Sequence, residues 1–396
     1  MKWFGRGVAV LIVIGLTGSA LPARVVAAPS PCGKNLNTLL GTGIGRSLSP
    51  GIALTVWSAA RPSTELAQRN VRAALLHSTT ASVTPVLSPL PQRVDPAELV
   101  ARTGLIAAVN GDLFDAIAVD ASVPEGPVVT NGVVRYAPPG RHAVVHWSNG
   151  RPRLHRALLR ASVTIATAEG AVLIPIAAVN YPDLSTGSVL FTQSWSGRTV
   201  RGSTTLVLRS GRLTQIIRGG RAVSPQRGES VVQILDAPSI PSGLRVGATA
   251  RVRSVLGRTH ADTKVMGHSG RLLRDGELTR PCDGVAGLLR PRTAFAWNDT
   301  GESWLAVISS GQPDAADGMR GGGATVSAFG SWLASQGATD AVLLDGGGST
   351  IMLRGDRPDV LRIDLPQSTY RRPVPVLLGV VPISRAQMLM PRGNAR

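Results

Sequence analysis

The sequence is poor in cysteine and in acid. Only two cysteines stand in 396 residues, Cys32 and Cys282, and neither has the C-x-x-C neighbour pattern of a structural zinc site. No H-E-x-x-H helix and no G-x-S-x-G elbow occurs, so the zinc-peptidase and serine-hydrolase classes lose their usual carriers. The glycine-rich stretch ending at Ser349 has no lysine before the serine, which excludes a nucleotide P-loop. Aspartate and glutamate number 24 against 42 lysines and arginines, a formal charge of +18. That excess is spread along the chain instead of gathered in one tail or helix, which speaks against nucleic-acid binding. It fits either an arginine-rich solvated surface or attraction to an anionic partner such as a cell-wall polyanion.

What is present is enough apolar matter, 43% by count, to bury a substantial core. The first 28 residues read as an export signal: Lys2 and Arg6 open it, Val8 to Leu16 is apolar, and Val26-Ala27-Ala28 offers small residues for cleavage. The run between Arg6 and Arg24 is short for a membrane span and is interrupted by Gly, Ser and Pro, so no stable membrane anchor is expected after cleavage. In a secreted or extracytoplasmic chain an even cysteine count invites a Cys32–Cys282 disulfide, with two unpaired thiols as the alternative.

Residues 29–103 read as a leader region packed on the main body, with strands at Ile52–Trp57 and Val71–Leu76 and a short helix that Asp95 and Pro96 open and Gly104 ends. Leu105 to Val109 is a buried strand closing on Asn110-Gly111-Asp112. Between 128 and 256, short apolar runs separated by Asn-Gly, Ser-Gly and Gly-Arg predict antiparallel hairpins. Further on, Val326, Phe329 and Leu333 recur at helical spacing before Gly337, and strands at Ala341–Leu344 and Thr350–Leu353 flank the glycine loop. The expectation is an α+β fold: mixed and antiparallel sheets, a few packed helices, one large catalytic domain over 104–385 and a basic tail over 386–396.

Three stretches can carry chemistry. In Asp345-Gly346-Gly347-Gly348-Ser349-Thr350, three glycines let backbone N–H groups approach an anion, with an acid before them and hydroxyls after; a plain hairpin tip is the competing role. Asn110, Asp112 and Asp115 place amide and carboxylates at a strand end, as a site or as a turn cap. Arg292, entering the run Ala294-Phe295-Ala296-Trp297, can hold a phosphate bidentately or be one more surface arginine. His260 and His268 flank Asp262 and Lys264, a set open to acid–base work or to structural roles.

Together, Val109 to Phe114, Arg292-Thr293-Ala294 and Gly337 to Thr350 resemble the phosphodiester glycosidase family. Ala178-Val179-Asn180, Gly267 to Gly276 and Arg371-Arg372-Pro373-Val374 fall in order where that family has comparable stretches, so that the similarity runs from about Gly104 to Pro382. The resemblance implies hydrolysis of a sugar joined through its anomeric carbon to a phosphodiester. It implies Asp345 and Asp112, with Asn110, as the catalytic group, and Arg292, Gly346, Gly347, Gly348, Ser349 and Thr350 as the phosphate holders. No cofactor and no metal is called for. The expected partner is a sugar-phosphate or anionic glycan of the envelope or extracellular space. A non-catalytic module binding anionic glycan, and a glycosidase of non-phosphorylated polysaccharide, stand as alternatives. Leu113, where an aromatic residue is common, and His268-Ser269, where Gly and Pro are frequent, depart from the family pattern.

Overall fold

The computed structural model describes residues 36–59, 71–79, 82–114, 122–219, 221–235, 242–257, 260–279, 288–310, 322–356, 359–364 and 371–381. The signal segment, Cys32, Cys282, Asp115 and the basic tail lie outside them, so the disulfide and cleavage expectations do too.

Four sheets make up the described chain. The first runs in the order Ile44–Ser49, Ile52–Ser58, Val71–Ser78, Ser303–Ser310, Arg292–Trp297, Asp340–Leu343, Gly270–Arg274 and Glu277–Leu278. The second carries Gly170–Ile176, Arg151–Thr167, Arg141–Ser148, Lys264–Gly267, Val128–Thr130 and Val133–Tyr136, with Ala250–Leu256 paired to Arg151–Thr167. The third is built from Ala178–Val179, Ser188–Phe191, Glu229–Ile234, Thr204–Arg209 and Arg212–Arg218; the fourth from Leu361–Arg362, Met352–Arg354, Ala107–Asn110, Val376–Val381 and Ser82–Leu87. Pairing is antiparallel throughout except between Ala178–Val179 and Ser188–Phe191. The molecule is therefore mostly β, and the helical part of the expected α+β mixture is small: Pro96–Thr103, Val326–Ser335 and the single turn Leu36–Leu39.

Local chemistry explains the elements that the sequence announces. Asp95 caps Pro96–Thr103 by accepting the Ala97 N–H at 2.7 Å, and Gly104 ends it in the left-handed conformation at φ 63°. Thr325 does the same for Val326–Ser335, accepting from Ala328 N at 3.1 Å. Asn131-Gly132 and Asn149-Gly150 turn hairpins with both residues at positive φ, the geometry whose twist suits two-residue loops. A boundary differs at the glycine loop: the following strand begins at Met352, not Thr350, and Gly347–Ser349 form a turn of 3-10 helix. The Thr350 N–H is taken by the Gly347 carbonyl and the Ile351 N–H by the Asn110 side chain, so neither enters the ladder.

Val71–Ser78 is hydrogen-bonded along its length to Ser303–Ser310, and Ser82–Leu87 to Val376–Val381, so the early strands share sheets with late ones. Val109, Met266, Phe295, Val342, Met352 and Val376 meet in one buried cluster. It underlies the place where the ends of Ala107–Asn110, Lys264–Gly267 and Asp340–Leu343 converge, and these strands belong to three different sheets.

Candidate active site

Asn110 is the knot of this convergence. Its side chain is 1% exposed, and its Nδ2 donates to the Asp345 carbonyl at 2.7 Å. Its Oδ1 accepts from Thr293 Oγ1 at 2.8 Å and from Ile351 N at 3.1 Å. A buried amide must find such partners, and here they lie on two distant segments, the glycine loop with its exit and the strand of Thr293. Asn110 thus ties the glycine loop to the strand that carries Thr293.

The backbone after Leu343 is pinned on both sides. Leu344 N donates to the Thr293 carbonyl, Asp345 N to that of Gly111 and Gly347 N to that of Pro291, at 3.0, 2.9 and 3.0 Å. Gly346 N turns to Asp345 Oδ1 at 2.9 Å, and Ser349 N and Thr350 N close the turn on Gly346 and Gly347. Most of the amides expected to cradle a phosphate are thereby committed inside the loop. The glycines also leave room: a Cβ on Gly348 would stand 2.6 Å from Arg372 Nη2, and one on Gly346 would stand 2.9 Å from the Pro291 carbonyl oxygen. Arg372 lies across the loop and donates from Nη1 to Ser349 Oγ at 3.2 Å. Thr350 is buried with its hydroxyl 3.4 Å from that of Thr293.

Arg292 opens the strand beside the loop, on the opposite face from Thr293. Consecutive strand residues point to opposite faces, so while Thr293 reaches Asn110, the Arg292 guanidinium donates to the carbonyls of Leu288 at 2.9 Å and Ala324 at 3.2 Å. Burial and neighbouring Arg290 push its pKa down to about 10. Among the described residues, the guanidinium shown bonding the glycine loop is that of Arg372.

Asp112 is 3% exposed. It accepts Leu113 N on Oδ1 at 2.9 Å and Gly126 N on Oδ2 at 2.7 Å. Gly267 packs so closely that an added Cβ would sit 2.0 Å from Oδ2. Burial pushes its pKa up to about 7 against the pull of the two N–H bonds, and the charges of Glu125 and Asp345 add to the rise. Asp345 is more open. Burial raises it to about 6, while hydrogen bonds from Ser349 and Gly346 and the charge of Arg372 hold it lower than burial alone would, and Glu125 opposes them. Two buried carboxyls, both raised by burial and set at different heights on the pH scale, therefore stand at this strand end.

Other candidates have structural work. Lys264 Nζ donates to the Val83 carbonyl at 3.0 Å, and burial lowers its pKa to about 8. Asp262 accepts from Asn149 N at 2.8 Å, and His260 N donates to Thr263 Oγ1 at 2.7 Å. His268 lies between Gly267, which covers Asp112, and Ser269, whose hydroxyl donates to the Leu343 carbonyl at 2.9 Å. Two charges that act on the acids were faint in the sequence. Arg372 was signalled only as part of the Arg371-Arg372-Pro373-Val374 stretch. Glu125, an exposed acid before Gly126, carried no signal.

The phosphodiester glycosidase family profile matches residues 196–381. That stretch holds Gly267, Arg292, the glycine loop and Arg372, whereas Asn110, Asp112 and Glu125 precede it. Among curated proteins, none matches the chain by sequence. A hypothetical protein from Synechocystis shares the fold with a TM-score of 0.63 at 19% identity, over 86% of this chain and 64% of its own. The chain thus spans less than two thirds of that protein. A Burkholderia pseudomallei K96243 protein inferred to be exported is similar with a TM-score of 0.66 at 16% identity, over 92% of this chain and 99% of its own. The catalytic domain of zebrafish N-acetylglucosamine-1-phosphodiester alpha-N-acetylglucosaminidase, auto-inhibited by its pro-peptide, aligns at 13% identity with a TM-score of 0.38, over 86% of this chain and 89% of its own. No helix among the described residues is long and apolar enough to cross a membrane.

Proposed function

We propose that this chain is an exported hydrolase that releases a sugar from a sugar-1-phosphate diester in envelope or extracellular glycan. The observation that carries the reading is the juxtaposition of partly buried Asp345, whose charge helps raise the pKa of buried Asp112, with the Arg372 guanidinium lying on Gly348. In such a substrate the leaving phosphate is already a stable anion, so the demand for a proton donor to it is small. Arg372 holds the phosphate oxygens in charge-assisted hydrogen bonds. Asp345, ionised, faces the anomeric carbon and stabilises positive charge as the C1–O bond breaks. A water molecule adds to C1 and gives its proton to the carboxylate pair, with the phosphate leaving as the anion. Asp112, which burial holds at a pKa of about 7, retains its proton longer than Asp345 as pH rises, so the two need not both be charged near neutrality.

The test is sugar release by the folded protein from methyl N-acetylglucosamine-1-phosphate, UDP-N-acetylglucosamine and a panel of other sugar-1-phosphate diesters, alongside aryl glycosides that lack phosphate. Release from diesters in preference to glycosides supports the reading. Folded protein inert to the whole panel overturns it, and equal rates on glycosides would make it an ordinary glycosidase.

A further inference from the structure

The long strand Arg151–Thr167 carries a second feature, separate from the acid pair. Over its outer half the odd-numbered side chains Ala157, Val163 and Ile165 are buried, so the even-numbered ones face solvent. Arg156 and Arg160 are exposed on that face. The gaps between and beyond them are filled by neighbouring strands: Leu158 pairs with Arg141, Ser162 with Arg253 and Thr164 with Arg251. Residues paired across strands share a face, and Arg141, Arg251 and Arg253 are exposed as well. One arginine therefore stands at each successive level 156, 158, 160, 162 and 164.

Levels two residues apart are about 6.7 Å apart, and the ladder extends about 27 Å. None of the five arginines forms an ion pair among the described residues, and Ala143, Val255 and Leu173, which share the face, add no acid. Two strand residues contribute six backbone bonds. A polymer whose phosphates are joined through three-carbon units also has six bonds from phosphorus to phosphorus, about 7 Å when extended at the same advance per bond. We propose that this face is a docking surface for a linear polyol-phosphate polymer, such as poly(glycerol phosphate), laid along the strand with one phosphate per arginine. A single-stranded nucleic acid has a similar phosphate repeat, but its binding sites stack bases on aromatic side chains, and this face presents none among the residues paired along it. Arginine suits the role because its planar fork grips phosphate oxygens in pairs.

The experiment is titration of the whole protein with a defined poly(glycerol phosphate) oligomer between low and moderate salt. The ladder variant carries Arg156→Gln, Arg160→Gln, Arg251→Gln and Arg253→Gln; its charge-matched control carries Arg46→Gln, Arg201→Gln, Arg218→Gln and Arg227→Gln, all exposed and none on Arg151–Thr167 or a strand paired to it. The ladder variant is expected to lose about 100-fold in affinity near 0.1 M salt, with the slope of log K against log salt shallower by about 3, because four phosphate contacts no longer release counterions. The control should stay within about threefold of wild type, a shift that general field effects allow. Equal losses in both variants would overturn the proposal in favour of undirected net charge. Tighter binding to oligothymidylate, or binding confined to phosphatidylglycerol vesicles, would overturn it in favour of nucleic acid or membrane. Turnover of a small sugar-1-phosphate diester is a separate readout: its absence would remove the hydrolase reading and leave the ladder standing, whereas turnover without polymer binding would do the reverse.

Discussion

Two arginines compete for the role of phosphate holder, and their environments separate them. Arg372 lies on a glycine with a hydroxyl as its anchor and lowers the pKa of Asp345 through its charge. Its guanidinium is poised where an anion would add to the same field. Arg292 spends Nε and Nη2 on two carbonyls, and such bonds to a charged donor contribute about 1.5–3 kcal/mol each. Arg372→Ala should raise KM for a sugar-1-phosphate diester at least about tenfold, the cost of roughly one charge-assisted contact, while leaving the melting temperature near that of the wild type. Arg292→Ala should do the opposite, lowering stability by about 2–4 kcal/mol with a smaller change in KM. Steady-state kinetics and thermal unfolding of the two variants decide between them; a KM effect confined to Arg292→Ala would return the clamp to that residue.

At the scale of elements, the glycine loop is held by a strand to which it is not adjacent in sequence. Asn110, at the end of Ala107–Asn110, bonds the loop on its carbonyl side and the chain leaving it on its amide side. Asn110→Ala removes three hydrogen bonds and leaves buried partners unpaired, and should cost about 2–4 kcal/mol. Its mark on activity should be a lower kcat, because Asp345 is no longer fixed. Urea unfolding together with kcat checks this, and unchanged stability with unchanged kcat would refute the knot. The same arrangement explains what was legible beforehand. The helix over Pro96–Thr103, the Asn-Gly hairpins and the buried runs on either side of the loop depend on residues close in sequence, so caps, turns and apolar patterning disclosed them. Arg372 reaches Ser349 because Val376–Val381 returns beside Ala107–Asn110, a pairing that no local pattern encodes. The face of Arg292 was equally hidden, since a strand's alternation says that two neighbours diverge but not which of them meets the loop. The glycines were conspicuous, yet nothing local says that the room left at Gly348 is taken by a guanidinium from elsewhere in the chain.

Across the whole molecule, the acid pair ties stability to pH. Asp112 and Asp345 ionise near 3.8 when unexposed to the fold, and burial carries them to about 7 and about 6 in the native state. Between about pH 4 and pH 7 the folded chain therefore retains protons that the unfolded chain has released, and stability from this source falls as pH rises. Glu302 works in the other direction, its pKa lowered first by the hydrogen bond from Asn298, so it adds stability that is lost on acidification. The two signs can be separated by substituting one member of the pair. Asp345→Asn keeps the side-chain oxygen that accepts from Gly346 and is neutral at every pH, so it lacks the penalty that the ionised wild type meets. Its melting temperature relative to wild type should climb from pH 4 to pH 7 by about 2–5 °C, corresponding to about 1–3 kcal/mol for a shift of roughly two units. Asp112→Asn should climb over a window reaching about one unit higher, since its carboxyl gives up its proton later. Paired unfolding curves at four pH values would show it, and a gap that stays flat through this range would mean that the carboxylates are solvated in the folded protein and that the raised pKa values on which their proposed roles rest do not exist.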